Sequence, residues 1–187
     1  FLSLLNPYAL LVGLGAVALF TMHGAAYLVL KTEGALRDRM RGCVSRGWMA
    51  FVVLYAVVTL LTFFSARHLM EGVVARPGFW VAFLPLVASL GFIPVASGMG
   101  HARRAFLASS VTIVSLWGLL GVSAFPTLVR SSADAAHSLT AYNAASTPRS
   151  LTAMLVIALI GMPVVLAYTV WIYRVFKGKV VLGPDSY

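Results

Sequence analysis

Hydrophobic and polar positions alternate along this chain in long blocks, not in the short periods of a soluble helix or strand. Five uncharged apolar runs stand out, at about 7–30, 48–66, 79–100, 105–129 and 151–173. Each is long enough to cross a bilayer as a helix rising about 1.5 Å per residue. The polar residues gather in the short stretches between them. The pattern predicts an all-α integral membrane protein with five transmembrane helices, arranged as a four-helix bundle plus one peripheral helix.

Local signals fit these runs. A polar approach at 3–6 precedes Pro7, which suits a first helical turn. Pro85, Pro94 and Pro163 fall inside runs, where neighbouring helices can satisfy the backbone groups that proline frees. Kinks are expected there. Pro126 lies near the end of the fourth run. The last run is the most informative. It is entered through the polar, proline-ended segment SLTAYNAASTPRS and closes on Tyr168, Trp171 and Tyr173, followed by Arg174, Lys177 and Lys179. Aromatic residues favour the headgroup level, and Lys and Arg favour the cytoplasmic side.

Composition agrees: 60% of the 187 residues are hydrophobic and only 10% are charged, where a soluble domain carries about 25%. A net charge of +9 would suggest nucleic acid in a soluble protein. Here the charges lie in loops, so topology explains them and no nucleic-acid partner is expected. Five crossings put the two ends on opposite sides. One set of loops holds ten basic residues, among them Arg37, Arg39, Arg41, Arg46, Arg103 and Arg104. The other set holds four: Arg67, Arg76, Arg130 and Arg149. The positive-inside rule makes the first set cytoplasmic, with the start of the chain outside and Tyr187 inside. The polar stretch 130–150 is then external. Phe1 takes the place of an initiator Met and no signal peptide is present, so the chain is expected to be the later part of a longer protein.

Candidate chemistry is sparse. The acids Glu33, Asp38, Glu71, Asp134 and Asp185 all lie outside the runs, which argues against a self-contained proton-coupled carrier. His23 is the ionisable residue inside a run. It reads as interhelical glue, with a quinone hydrogen bond, a proton relay or a haem ligand as the functional alternatives. His68, His101 and His137 make no metal-spaced pair. Met22, Met99, Met154 and Met162 read as packing, and Cys43 reads as a free thiol. No catalytic residue and no metal site is expected. Arg37, Arg39, Arg41 and Arg46 are expected to meet anionic lipid headgroups. Gly13, Gly24, Gly118 and Gly121 supply small-residue faces for helix association.

Several segments, in order, resemble one family. SLT-x-YNA-x-S, PVVLAYT and the tail YRVFKGKV are similar to the C-terminal end of subunit II of cytochrome bd-type quinol oxidases. LLNPYALLVGL and HGAAYLVLKTEG-x-L resemble the helix opening the second half of that subunit, and WGLLGVSAFPTLVRSS resembles the helix before its last external loop. The family's first half, with its WDGNQVW-type segment, has no counterpart here. The resemblance implies a chain in the bacterial cytoplasmic (inner) membrane, paired with subunit I through a large apolar face. It implies that haems b and d and their ligands belong to subunit I, which oxidises quinol and reduces dioxygen to water. A quinone bound by subunit II is a further implication. The competing readings are a stand-alone transporter or permease and a lipid- or quinone-binding scaffold.

Overall fold

A computed structural model describes residues 6–131 and 134–179. The approach at 3–5 and the terminal Asp185 and Tyr187 lie outside the described residues. Five helices carry the fold: α1 (Pro7–Lys31), α2 (Gly34–Ser65), α3 (Pro77–Gly98), α4 (Ala102–Ala124) and α5 (Pro148–Val175). All five are long and apolar enough to cross a membrane.

Helix starts follow capping chemistry. The Asn6 carboxamide oxygen accepts from the Ala9 amide at 2.7 Å, and Pro7 follows at the first helical position. Thr147 does the same for Ser150 ahead of Pro148. These groups satisfy amides that the first turn leaves open.

Two boundaries differ from the apolar runs. The first is the start of α2, which begins at Gly34 and not at residue 48. The stretch 35–47 is basic but contains no proline and several good helix formers, so charge alone does not end the helix. α2 has 32 residues and is about 48 Å long, well beyond a hydrocarbon core of about 30 Å. The second is the end of α4, at Ala124 and not near 129. Pro126 disfavours the helical region for the residue before it. The chain leaves the helix there and forms strand β1 (Thr127–Val129), antiparallel to β2 (Leu139–Thr140).

The chain divides into two compact units. The larger contains α1 to α4 up to Ser123. Its α1 buries Gly15, Leu19, Met22, Ala26 and Val29, and its α3 buries Ala82, Leu86, Ser89, Ile93 and Ala96. Both seams step by four and three residues, the spacing of knobs-into-holes packing. Half of these residues are Gly, Ala or Ser, which lets the backbones approach closely. Backbone comes close at Gly47 on α2, where an added Cβ would stand 3.2 Å from the Met22 Cα and 3.3 Å from its nitrogen. Gly118 faces Ala82 in the same way, whereas Gly13, Gly24 and Gly121 meet nothing within 4 Å. Gly118 therefore serves packing inside the unit.

Connections are short on one side. Only Thr32 and Glu33 join α1 to α2, with Gly34 at φ +62°. α3 ends in a left-handed Gly100, with His101 N–H donating to the Ala96 carbonyl and Gly100 N–H to that of Ser97. This is a Schellman ending. On the other side, residues 66–76 hold two short 3-10 turns, and Arg76 donates to the Val122 carbonyl at 2.6 Å.

α3 runs through Pro85 and Pro94 without interruption, as α5 does through Pro163. Pro94 has no N–H for the carbonyl of Leu90 four residues earlier. The Trp48 indole on α2 supplies that donor at 2.9 Å.

The smaller unit, 124–178, contains the β1–β2 pair and α5. In its polar segment Asn143 accepts from the Thr140 amide and donates to the Ser138 carbonyl. None of the α5 residues is buried. Its exposed side chains include Leu155, Ile157, Leu159, Ile160 and Val164. A surface of this kind is stable where hydrocarbon or another protein covers it.

Candidate functional site

Polar groups within the larger unit occur as a few satisfied pairs. His23 on α1 and Ser109 on α4 are 2.7 Å apart, Nδ1 to Oγ. The Ser109 hydroxyl also donates to the Phe106 carbonyl at 2.7 Å. A hydroxyl has one hydrogen. With it committed to that carbonyl, the His23 Nδ1–H is the donor to Ser109. The Phe106 ring stacks on the imidazole with centroids 4.8 Å apart, and Tyr27 leans on Phe106 at 5.5 Å. His23 is half-buried, and Ser109 is fully buried.

Further along, Ser89 and Thr112 join α3 to α4 at 2.8 Å, both buried. At the start of α1 the Tyr8 hydroxyl lies 3.1 Å from that of Thr62, which itself donates to the Val58 carbonyl. Tyr8 is therefore the donor. These hydroxyls return to a carbonyl of their own helix, three residues back for Ser89 and Ser109 and four for Thr62 and Thr112, and each also meets a partner on a neighbouring helix, which is how polar groups are tolerated at membrane depth.

A cavity of about 430 Å³ lies among α1, α2 and α4. Gly15, Leu19, Phe51, Leu54 and Ile113 line its apolar wall, and Tyr8, Thr59, Thr62 and Ser123 bring hydroxyls to it. The shape and chemistry suit one hydrocarbon chain or a prenylated ring with a small polar end. His23 is not part of its wall. The cavity has no histidine, the imidazole face of His23 is covered by Phe106, and no cluster of three His, Cys, Asp or Glu occurs among the described residues.

The other singled-out residues are scattered. His68, His101 and His137 are exposed. Met22 is fully buried, while Met99, Met154 and Met162 are exposed. Cys43 is a half-buried free thiol. Tyr168 and Trp171 form an exposed pair at 6.1 Å. Glu33 accepts from Lys179 at 2.6 Å. That hydrogen bond, then the Lys179 charge and the charge of Arg37, hold the carboxyl below its ordinary range. The pair therefore holds at neutral pH and is lost as the pH falls through the lowered value.

Ser109, Phe106, Thr62 and the Trp48–Leu90 bond were not singled out from the sequence. The hydroxyl cluster Ser109, Ser110, Thr112 and Ser115 inside an apolar run was the available signal. Pro94 marked Leu90 as a carbonyl in need of a donor.

Fold and polar pairs together define a polytopic α-helical membrane protein built around a tightly packed bundle. The sequence model of the family described as cytochrome bd terminal oxidase subunit II matches residues 1–176. The chain belongs to that family. It is 30% identical to the probable cytochrome oxidase subunit 2 of Haemophilus influenzae, over 96% of this chain and 54% of that protein. Against the cytochrome bd-I ubiquinol oxidase subunit 2 of Escherichia coli K12 it is 27% identical, with the same coverage. Against the cytochrome bd ubiquinol oxidase subunit 2 of Bacillus subtilis it is 26% identical, over 94% of this chain and 51% of that protein. The chain thus spans about half the length of the curated relatives it matches.

Proposed function

We propose that the chain forms the C-terminal half of subunit II of a cytochrome bd-type quinol:dioxygen oxidoreductase in the bacterial cytoplasmic membrane. In this reading it supports a haem-bearing subunit I, which oxidises quinol and reduces dioxygen to water. The carrying observation is the family match over residues 1–176. Support also comes from what the described residues contain: paired hydroxyls between helices and a broad apolar exterior suited to lipid and to a partner helix bundle.

Co-purification tests it. The natural full-length subunit II, tagged and expressed with its subunit I, should bring down a haem-rich partner with quinol oxidase activity. Recovery of the subunit without a haem protein would refute the reading.

A second reading has its own observation. The 430 Å³ apolar cavity with hydroxyls near Tyr8 and Thr62 suits a lipid- or quinone-holding scaffold within the same complex. The transporter reading has no comparable support, because no acidic side chain lies within the four helices of the larger unit except Asp38, in the basic stretch of α2.

A further inference from the structure

The inward face of α2 runs Arg37, Arg41, Val44, Trp48, Phe51, at steps of four, three, four and three. Val44 and Phe51 are buried, and Trp48 donates into α3. The two arginines thus continue the packing seam of α2 past the apolar part of the helix. Both are half-buried, and the Nε of each is sealed from solvent without an acceptor. Arg39 and Arg46, on the same helix but off this seam, are exposed.

Arg41 is pressed against the α3–α4 turn. Its Nη2 would stand 3.0 Å from a Cβ placed on Gly100. Beside it lies a void of about 10 Å³ bordered by Ser97, Gly100 and Ala102, room for about one water. Among the described residues neither arginine is in an ion pair. Among nearby acids, Glu33 is bound to Lys179, and Asp38 is exposed on α2. Glu33, though bound to Lys179, still feels the Arg37 charge, so among the described residues one shared carboxylate stands near two half-buried cations one turn apart. An unneutralised buried charge is costly. By helical rise Arg41 stands about 10 Å and Arg37 about 16 Å before Trp48, where the apolar run begins, on the headgroup side of the hydrocarbon.

We propose that Arg37 and Arg41 seat the phosphate of an anionic phospholipid at this end of the bundle. Their sealed inner edges fix the planes of the two guanidiniums, and their outer edges present N–H donors to phosphate oxygens. The proposal stands on membrane insertion alone and holds whichever partner the subunit serves.

The test uses the full-length subunit, with its partner, in a neutral detergent. Thermal stability is followed while phosphatidylglycerol, phosphatidylcholine of the same chains, or millimolar inorganic phosphate is added. Phosphatidylglycerol should raise the Tm saturably, and the other two should not. Arg37→Gln/Arg41→Gln should weaken the phosphatidylglycerol midpoint by about thirtyfold, from two lost guanidinium contacts. Arg39→Gln/Arg46→Gln, which removes the same charge, should leave it nearly unchanged. Equal weakening by both pairs would overturn the proposal by reducing it to general surface attraction. So would an unmodified protein that does not prefer phosphatidylglycerol to phosphatidylcholine, or one that responds equally to inorganic phosphate. The titrations of the unmodified protein decide the matter even if a variant folds poorly.

Discussion

Ser109 has one hydroxyl hydrogen and two neighbours placed to receive it. Giving it to the Phe106 carbonyl fixes the imidazole of His23 as donor through Nδ1. The sequence marked His23 as the ionisable group in a crossing, but not its partner, because a serine in an apolar run carries no address. A double-mutant cycle separates glue from chemistry. His23→Leu and Ser109→Ala should each destabilise, with a coupling of about 0.6 kcal/mol, the usual size for such bonds in membranes. Haem content of the complex should stay unchanged. A loss of haem on His23→Leu alone would assign His23 a role beyond packing.

Elements were more legible than residues, and the two departures have physical causes. Hydropathy finds where a helix is oily, not where it is helical, so it saw α2 only from residue 48 although the backbone winds from Gly34. The opposite error arose at Pro126, where apolar residues continue but the helix does not. Close approach was equally hidden. Gly47 lies against the Met22 backbone, while Gly24, singled out for association, is open within this chain. Gly47→Leu should destabilise the subunit by about 3 kcal/mol, the upper range for overpacking. Gly24→Leu should leave its fold intact and, if that face meets a partner, lower recovery of the complex. Thermal stability and co-purification yield measured side by side would tell these apart.

The bond from Trp48 to the Leu90 carbonyl belongs to the same scale. Trp48→Phe should cost about 1 kcal/mol by orphaning that carbonyl. Restoring the helical donor with Pro94→Ala should recover most of it. Additive losses in the double variant would show that the indole acts only by its bulk.

For the whole molecule, the charge asymmetry of the loops proposes an orientation that labelling tests. In a Cys43→Ser background, Glu71→Cys should react with a membrane-impermeant maleimide in intact cells. Arg39→Cys should react only after permeabilisation, and the reverse pattern would invert the topology. Family membership rests on the match over 1–176. Under the proposed function the dioxygen and quinol chemistry would lie with the companion subunit. What is written in these helices is the solvent: a surface bearing Phe64, Val81, Val114 and Trp117 in the open, which only a bilayer or another protein makes tolerable.

The unbroken winding of α2 has one practical outcome. Arg37, Arg39, Arg41 and Arg46 look on paper like a run of trypsin cleavage points in a hinge, yet a protease needs the chain drawn out straight across its cleft. Held in a continuous coil, these bonds should survive digestion of opened vesicles and yield only when the protein is unfolded. Nicking there thus becomes a gauge of whether the bundle is intact.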